Sequence, residues 1–201
     1  MIYLVRHGET VFNTQGRYQG RFDSPVTNKG HDEIHQIMAC ILRDKVKHFR
    51  VFSSSSYRAV WSAQQMIDKL KCWAGWKIRP ASTVRKIIWI SDELREQDYG
   101  DWEGLTAQEI EGRFPGQLQD RINTGTSYRP PNGESYDDVK ERAKSFCNQL
   151  DVNRNYLIVT HKKTSQAIRE ILFPEIIAAE HTQDSYFVLD LNDHKLTQHR
   201  I

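Results

Sequence analysis

The sequence predicts an α/β fold, a three-layer α/β/α arrangement around a mostly parallel central sheet. Short apolar runs containing β-branched residues alternate with longer stretches whose apolar positions recur at helical spacing, the pattern of sequential βα units. The chain has 201 residues, 38% of them hydrophobic, which is enough to bury about 70% of the unfolded surface around one core. A single domain covering 1–201 is therefore expected, and neither an internal repeat nor a low-complexity tract argues against it.

Residues 1–5 form an apolar run that reads as a buried strand, and the polar, glycine-bearing stretch 6–30 follows as a long loop. From Ile34 onward, Ile37, Met38, Ile41 and Leu42 fall at helical spacing and predict a helix of about four turns. A second strand is expected at Arg50 to Ser53. The serines at 53–56 are placed to cap the helix after it, whose buried face uses Val60, Ala63, Ile67 and Leu70. Val84 to Ile90 reads as a strand and 105–113 as a short helix. The proline- and glycine-bearing stretch from Gly112 to Gly133 reads as a loop or small cap, so that a cap of about 105–133 is expected. Gly133-Glu134-Ser135 opens a helix through about 150, with Val139, Ala143, Phe146, Cys147 and Leu150 on one face. Tyr156 to Thr160 is a buried-type strand, 163–172 a helix, and Tyr186 to Leu191 a last core strand before a polar end.

Composition narrows the function classes. Lys and Arg number 28 against 26 Asp and Glu, a formal net charge of +2, so no polyanion-binding tail is expected and nucleic acid is not an expected partner. No run approaches the roughly 18 to 20 apolar residues of a membrane span, and Arg6 interrupts the first apolar run too early for a signal peptide, so a cytoplasmic protein is expected. Cys40, Cys72 and Cys147 are far apart and read as reduced packing residues.

Three expected strand ends carry the same kind of side chain: Arg6 and His7 after the first, Arg58 just after the second, and His161 after the strand at 156–160. In an open α/β sheet such ends converge on one crevice. Two guanidiniums and two imidazoles there make an anion site, and phosphate is the best-matched ligand because a guanidinium offers its oxygens a fixed fork of donors.

The run Leu4-Val5-Arg6-His7-Gly8-Glu9-Thr10 resembles the signature of the histidine phosphatase superfamily, the phosphoglycerate mutase-like family. Asn13, Gln19-Gly20, Asp23, Pro25, Thr27 and Gly30 follow its spacing, as do Ser53 to Ala59 and the stretch Leu94 to Gly104. Gly133-Glu134-Ser135 with Arg142, and Val159-Thr160-His161, complete the similarity over about residues 1–172. The resemblance implies a phosphoglycerate mutase-like fold and a phosphohistidine formed on His7, with Arg6, Arg58 and His161 stabilising the transferring phosphoryl group. It implies that Asn13 adds a neutral donor, that Gln19 and Gly20 belong to the phosphate-binding surround, and that Glu96 is the general acid; Lys162 is a further phosphate-binding candidate on its own charge. It also implies no metal and no cofactor. Lys162 stands where the family typically carries glycine. If a positive φ were required there, lysine would cost about 1 to 3 kcal/mol of strain; otherwise its backbone N–H still donates and its ammonium adds positive charge.

The cap is shorter than the insertion of the mutases, which favours hydrolysis of the phosphohistidine over retransfer. The expected activity is a metal-independent phosphomonoester phosphatase, a phosphoric monoester hydrolase, acting on a small-molecule phosphomonoester. The alternatives are mutase-type transfer and a non-catalytic binding role on the same fold. Arg113, Arg121, Tyr128 and Arg129 in the cap are candidates for selecting a second negative charge on the substrate. His31 and His35 stand four apart, but no third ligand is identifiable, and His35 is expected to point away from the core stripe, so no metal is expected there. Residues 71–89 interleave Trp73, Trp76 and Trp89 with Lys71, Lys77, Arg79, Arg85 and Lys86, which reads as an extra hairpin or helix end packing on the body, with a base-stacking surface as the alternative. The natural substrate and the oligomeric state are not legible.

Overall fold

The computed structural model describes residues 1–44, 48–73, 88–176 and 180–201. Among them are strands β1 (Ile2–Arg6), β2 (Arg50–Ser54), β3 (Ile88–Ser91), β4 (Tyr156–Thr160), β5 (Ser185–Asp190) and β6 (Lys195–Arg200). The helices are α1 (Val11–Thr14), α2 (Asn28–Arg43), α3 (Tyr57–Trp73), α4 (Ala107–Arg113), α5 (Gln117–Thr124), α6 (Tyr136–Cys147) and α7 (Lys162–Leu172). The strands form one sheet in the order β3-β2-β4-β1-β5-β6. Its β3-β2-β4-β1 block is parallel, while β5 pairs antiparallel with both β1 and β6.

Alternation along the strands divides the interior into two cores. Tyr3, Val5, Leu157 and Val159 face the apolar sides of α2 and α3. Ile2, Leu4, Tyr156 and Ile158 face α6 and α7. Because helices cover both faces, β1 and β4 read as unbroken apolar runs rather than alternating ones. On α2, Ile34, Ile37, Met38 and Ile41 are wholly buried, each contributing about 1.5 to 3 kcal/mol of transfer free energy. The mostly parallel three-layer fold is thus the one the apolar pattern predicts.

Several elements differ from the sequence reading. Helix α2 starts at Asn28, with the Thr27 hydroxyl accepting the Gly30 N–H at 3.0 Å, because a cap and not an apolar residue sets its start. Helix α3 is not capped by a serine side chain: Asp23, from the preceding long loop, accepts the N–H groups of Tyr57 at 2.8 Å and Arg58 at 3.3 Å. That loop also contains the short helix α1, and the expected loop after Gly112 contains α5 and a 3-10 turn over Gly125–Ser127. Helix α6 ends at Cys147 rather than about 150. The polar end is strand β6, an antiparallel edge whose side chains are half-buried or exposed, so it lacks an apolar signature. Residues 74–87, with most of the basic and tryptophan-bearing segment and the expected start of the third strand, lie outside the described residues. Trp89 packs on Phe52 at 5.2 Å between ring centroids.

The His35 ring lies 4.4 Å from that of His31, which in turn contacts Trp61 of α3, and neither imidazole belongs to the buried core of that helix. Cys147 is buried and its thiol is pushed up to about 12 by burial, whereas Cys72 is exposed and is not a packing residue. A third small core of Tyr99, Trp102, Leu105 and Ile110, joined by Tyr18, Phe114, Leu118 and Tyr128, holds the cap to the loop after β1. No helix among the described residues is long and apolar enough to cross a membrane.

Candidate active site

The parallel register brings the reactive side chains together. Arg6 pairs with Thr160 and Ser53 with Val159, so β1, β4 and β2 end side by side and release His7, His161 and Ser54 at one edge. The His7 N–H donates to the Thr160 carbonyl at 3.0 Å, and α3, starting directly after β2, supplies Arg58.

His7 is almost wholly buried. Its Nδ1 lies 2.8 Å from the Gly8 carbonyl, which can only accept, so Nδ1 carries the proton and Nε2 keeps its lone pair. Arg58 Nε donates to that Nε2 at 3.3 Å. Burial, then the charges of Arg58 and Arg6, hold the His7 imidazole well below its ordinary range, so it is uncharged at neutral pH. Arg58 is held by the Gly20 carbonyl at 2.6 Å, the Phe22 carbonyl at 2.8 Å and Asp23 at 2.8 Å. Two glycines make these approaches possible. A Cβ on Gly8 would collide with the Gly30 carbonyl, and Gly20 has φ +50° with a Glu103 oxygen occupying the space a side chain would need.

His161 is fully buried beside His7, 5.1 Å between ring centroids, rather than on the cavity wall. Its Nε2 contacts the hydroxyls of Ser54 at 2.8 Å and Ser56 at 3.1 Å, and burial with the Arg58 charge lowers it well below the usual imidazole range. Two buried polar atoms here have no partner, His161 Nδ1 and Arg6 Nε. Arg6 Nη1 donates to the His181 carbonyl at 3.1 Å.

The remaining expected residues surround His7. Asn13 turns its Oδ1 toward the Thr10 N–H at 3.1 Å, leaving its amide NH2 for a ligand. Gln19 lines the cavity, but its amide is engaged at both ends, with Thr10 at 2.8 Å and Ser24 at 3.1 Å. Lys162 is the first residue of α7 and has no positive φ; among the described non-glycine residues only Asn132 and His194 do. The strained reading of that position therefore falls, and its ammonium pairs with Glu180 beside the cavity. The Glu96 carboxylate accepts the N–H of Gln97 at 3.0 Å and of Lys163 at 3.1 Å. Its loop is clamped by Arg142, which donates to the carbonyls of Glu93, Arg95 and Glu96 at 2.6 to 3.1 Å.

These groups enclose a cavity of about 290 Å³ lined by Arg6, His7, Asn13, Gln19, Gly20, Arg58, Glu96 and Lys162, together with Arg17, Tyr18, Tyr99, Arg121 and Lys163. Six cationic side chains thus face one carboxylate. A second cavity, of about 660 Å³ between the cap and α6 and α7, shares Tyr18, Arg121 and Lys163 with the first. The Arg121 guanidinium stands 5.4 to 5.9 Å from the ring centroids of Tyr18, Tyr99 and Trp102. Of the other cap candidates, Arg129 pairs with Asp138 and Tyr128 stacks on Trp102. Sequence reasoning missed Arg17 and Lys163 as wall residues and Ser54 and Ser56 as partners of His161. Nothing in their local pattern marks them.

An uncharged, buried histidine thus stands beside two guanidiniums at the carboxyl edge of a three-layer α/β sheet. Residues 2–197 match the histidine phosphatase superfamily (branch 1), and the chain belongs to that family. It is 32% identical over 167 residues to a 6-phosphofructo-2-kinase/fructose-2,6-bisphosphatase of Caenorhabditis elegans, covering 83% of this chain and 33% of that protein. A protein of the same name from Aquarana catesbeiana is 27% identical, covering 83% and 31%. The chain spans about a third of the length of these relatives. Among solved structures, it matches a putative alpha-ribazole-5'-P phosphatase from Escherichia coli with a TM-score of 0.80 at 23% identity, covering 100% of this chain and 94% of that one. A mycobacterial glucosyl-3-phosphoglycerate phosphatase matches with a TM-score of 0.69 at 24% identity, covering 92% and 90%.

Proposed function

We propose that the protein is a metal-independent phosphomonoester phosphatase acting through a phosphohistidine on His7. The observation that carries this reading is the state of the site around the His7 lone pair: Nδ1–H is spent on a carbonyl, and beside it two buried polar atoms, Arg6 Nε and His161 Nδ1, wait without partners. Such groups cost about 1 to 3 kcal/mol each when left unsatisfied, and phosphoryl oxygens would satisfy them. With one serine hydroxyl, that of Ser54 at 2.8 Å, donating to the single Nε2 lone pair, His161 keeps its proton on Nδ1 as a donor to the anion.

In the first step, Nε2 attacks phosphorus, the bond to the leaving oxygen breaks, and Glu96 gives that oxygen its proton. In the second, the Glu96 carboxylate takes a proton from water as the water oxygen attacks phosphorus, and the P–N bond breaks to release inorganic phosphate and free His7. The side-chain cations stabilise the charge on the equatorial oxygens. One carboxylate among six cations is a poor donor set for a divalent ion, and no cluster of three His, Cys, Asp or Glu among the described residues could hold a metal. The short cap leaves water a path to the phosphohistidine. Arg121 and Lys163, at the junction of the two cavities, are placed for a second anionic group on the substrate, in keeping with relatives named for a sugar bisphosphate.

The test is turnover of a chromogenic aryl phosphate in excess chelator by the wild type and His7→Ala. The expected result is chelator-resistant hydrolysis that falls by about 10³-fold or more in the variant. Hydrolysis lost in chelator, or kept by His7→Ala, would overturn the reading, and phosphoglycerate isomerisation in a coupled assay would replace it with a mutase.

A further inference from the structure

Three of the phosphate-handling residues are held by a short segment far away in sequence. Between α7 and β5, Glu180 pairs with the Lys162 ammonium, the His181 carbonyl accepts from Arg6 Nη1 at 3.1 Å, and Gln183 Nε2 donates to Asn13 Oδ1 at 2.9 Å. The segment is itself pinned. The fully buried His181 donates from Nε2 to the Ser185 carbonyl at 3.1 Å, which leaves its Nδ1 to accept the Ser165 hydroxyl at 2.6 Å.

The contact to Asn13 decides which end of its carboxamide an anion meets. The Thr10 hydroxyl has one proton, and Gln19 Oε1 at 2.8 Å is nearer to it than Asn13 Oδ1 at 3.0 Å. Asn13 Oδ1 then has two lone pairs for two N–H donors, Thr10 N–H at 3.1 Å and Gln183 at 2.9 Å, and both are filled. A flipped amide would lose both bonds and turn acceptor lone pairs toward the anion. With Gln183 gone, only one bond opposes the flip.

We propose that residues 180–183 form a positioning strap for the phosphate site, in which Gln183 fixes the Asn13 carboxamide with its NH2 toward the bound phosphoryl group. The catalytic part of this proposal rests on the phosphatase reading; the binding part rests on the anion site alone. Gln183→Leu keeps the side chain's bulk, removes the donor and sits at a half-buried position.

The experiment measures the affinity for inorganic phosphate by calorimetry, kcat/KM for an aryl phosphate, and Tm, for Gln183→Leu in the wild-type and Asn13→Ala backgrounds. The expected result is a loss of about five- to tenfold in affinity and kcat/KM in the wild type but under about twofold in Asn13→Ala, with Tm unchanged within about 2 °C. No loss in the wild type, or the same loss in both backgrounds, overturns the proposal. Coupled loss of phosphate affinity in a protein without turnover would support the strap while removing the phosphatase reading.

Discussion

Glu96 shows how a single side chain is made ready by its neighbours. The Arg142 guanidinium fixes three carbonyls of its loop, and the Thr160 hydroxyl fixes a fourth, that of Leu94, at 2.8 Å, so the carboxylate at the start of α7 is held at the cavity edge. In the proposed role of general acid, Glu96 contributes most when the leaving alcohol is a poor one. Glu96→Gln is expected to slow esters of alkyl alcohols by about 10² to 10⁴, and nitrophenyl esters far less, which steady-state rates on a leaving-group series measure. An equal loss across the series would remove the acid role. At this scale the sequence was legible wherever a residue lies at or just past a strand end, as His7 and His161 do directly and Arg58 does in the first turn of the helix after β2, because strand ends of a parallel sheet converge whatever lies between them. It was silent on Gln183 and Ser54, whose partners are 170 and 107 positions away. No local pattern encodes such contacts.

At the level of elements, apolar periodicity located the buried strands and helices because burial selects the residues that carry the signal. β4 came out with both its ends, Tyr156 and Thr160, and α7 within one residue of its start. Elements whose signal is polar were harder. α1 is a four-residue helix with no buried side chain, held by a capping box between Thr10 and Asn13, and α5 likewise buries nothing fully. β6 pairs with β5 over six residues but is an edge strand, so backbone bonds rather than an apolar face hold it. The cap of α3 shows the limit of local reasoning most clearly. Serines stand at the expected place, yet Asp23, from a separate loop, does the capping and anchors Arg58 as well, which couples the start of the helix to the anion site.

At the scale of the whole molecule, a net charge of +2 conceals a concentration of cations at one sheet edge, where burial also suppresses the protonation of histidines. His7, His161 and His181 all have imidazoles held well below the ordinary range, with burial as the first cause. Their folded-state values lie under the unfolded value of about 6.5, so below that pH the unfolded chain binds more protons and stability falls on acidification, by up to about 1.4 kcal/mol per pH unit for each histidine. Burial raises Glu33 and Glu103, which acts in the opposite direction, whereas the lowered carboxyls of Glu109, Asp138, Asp151, Glu170 and Glu180 act with the imidazoles. Thermal unfolding should therefore show a flat Tm between about pH 7 and pH 8 and a decline from about pH 6.5 downward; a Tm that rises on acidification would contradict this. The proposed chemistry turns on Nε2 of a neutral His7 taking the phosphoryl group. The most direct measurement is rapid quenching of the enzyme during turnover of an aryl phosphate into alkali, followed by peptide mass spectrometry and phosphorus NMR of the trapped group. The expected result is an alkali-stable, acid-labile phosphoryl group on His7, bonded at Nε2 because Nδ1 is committed to the Gly8 carbonyl. Turnover with no phosphohistidine trapped, or with the label on Nδ1 or on another residue, would contradict it.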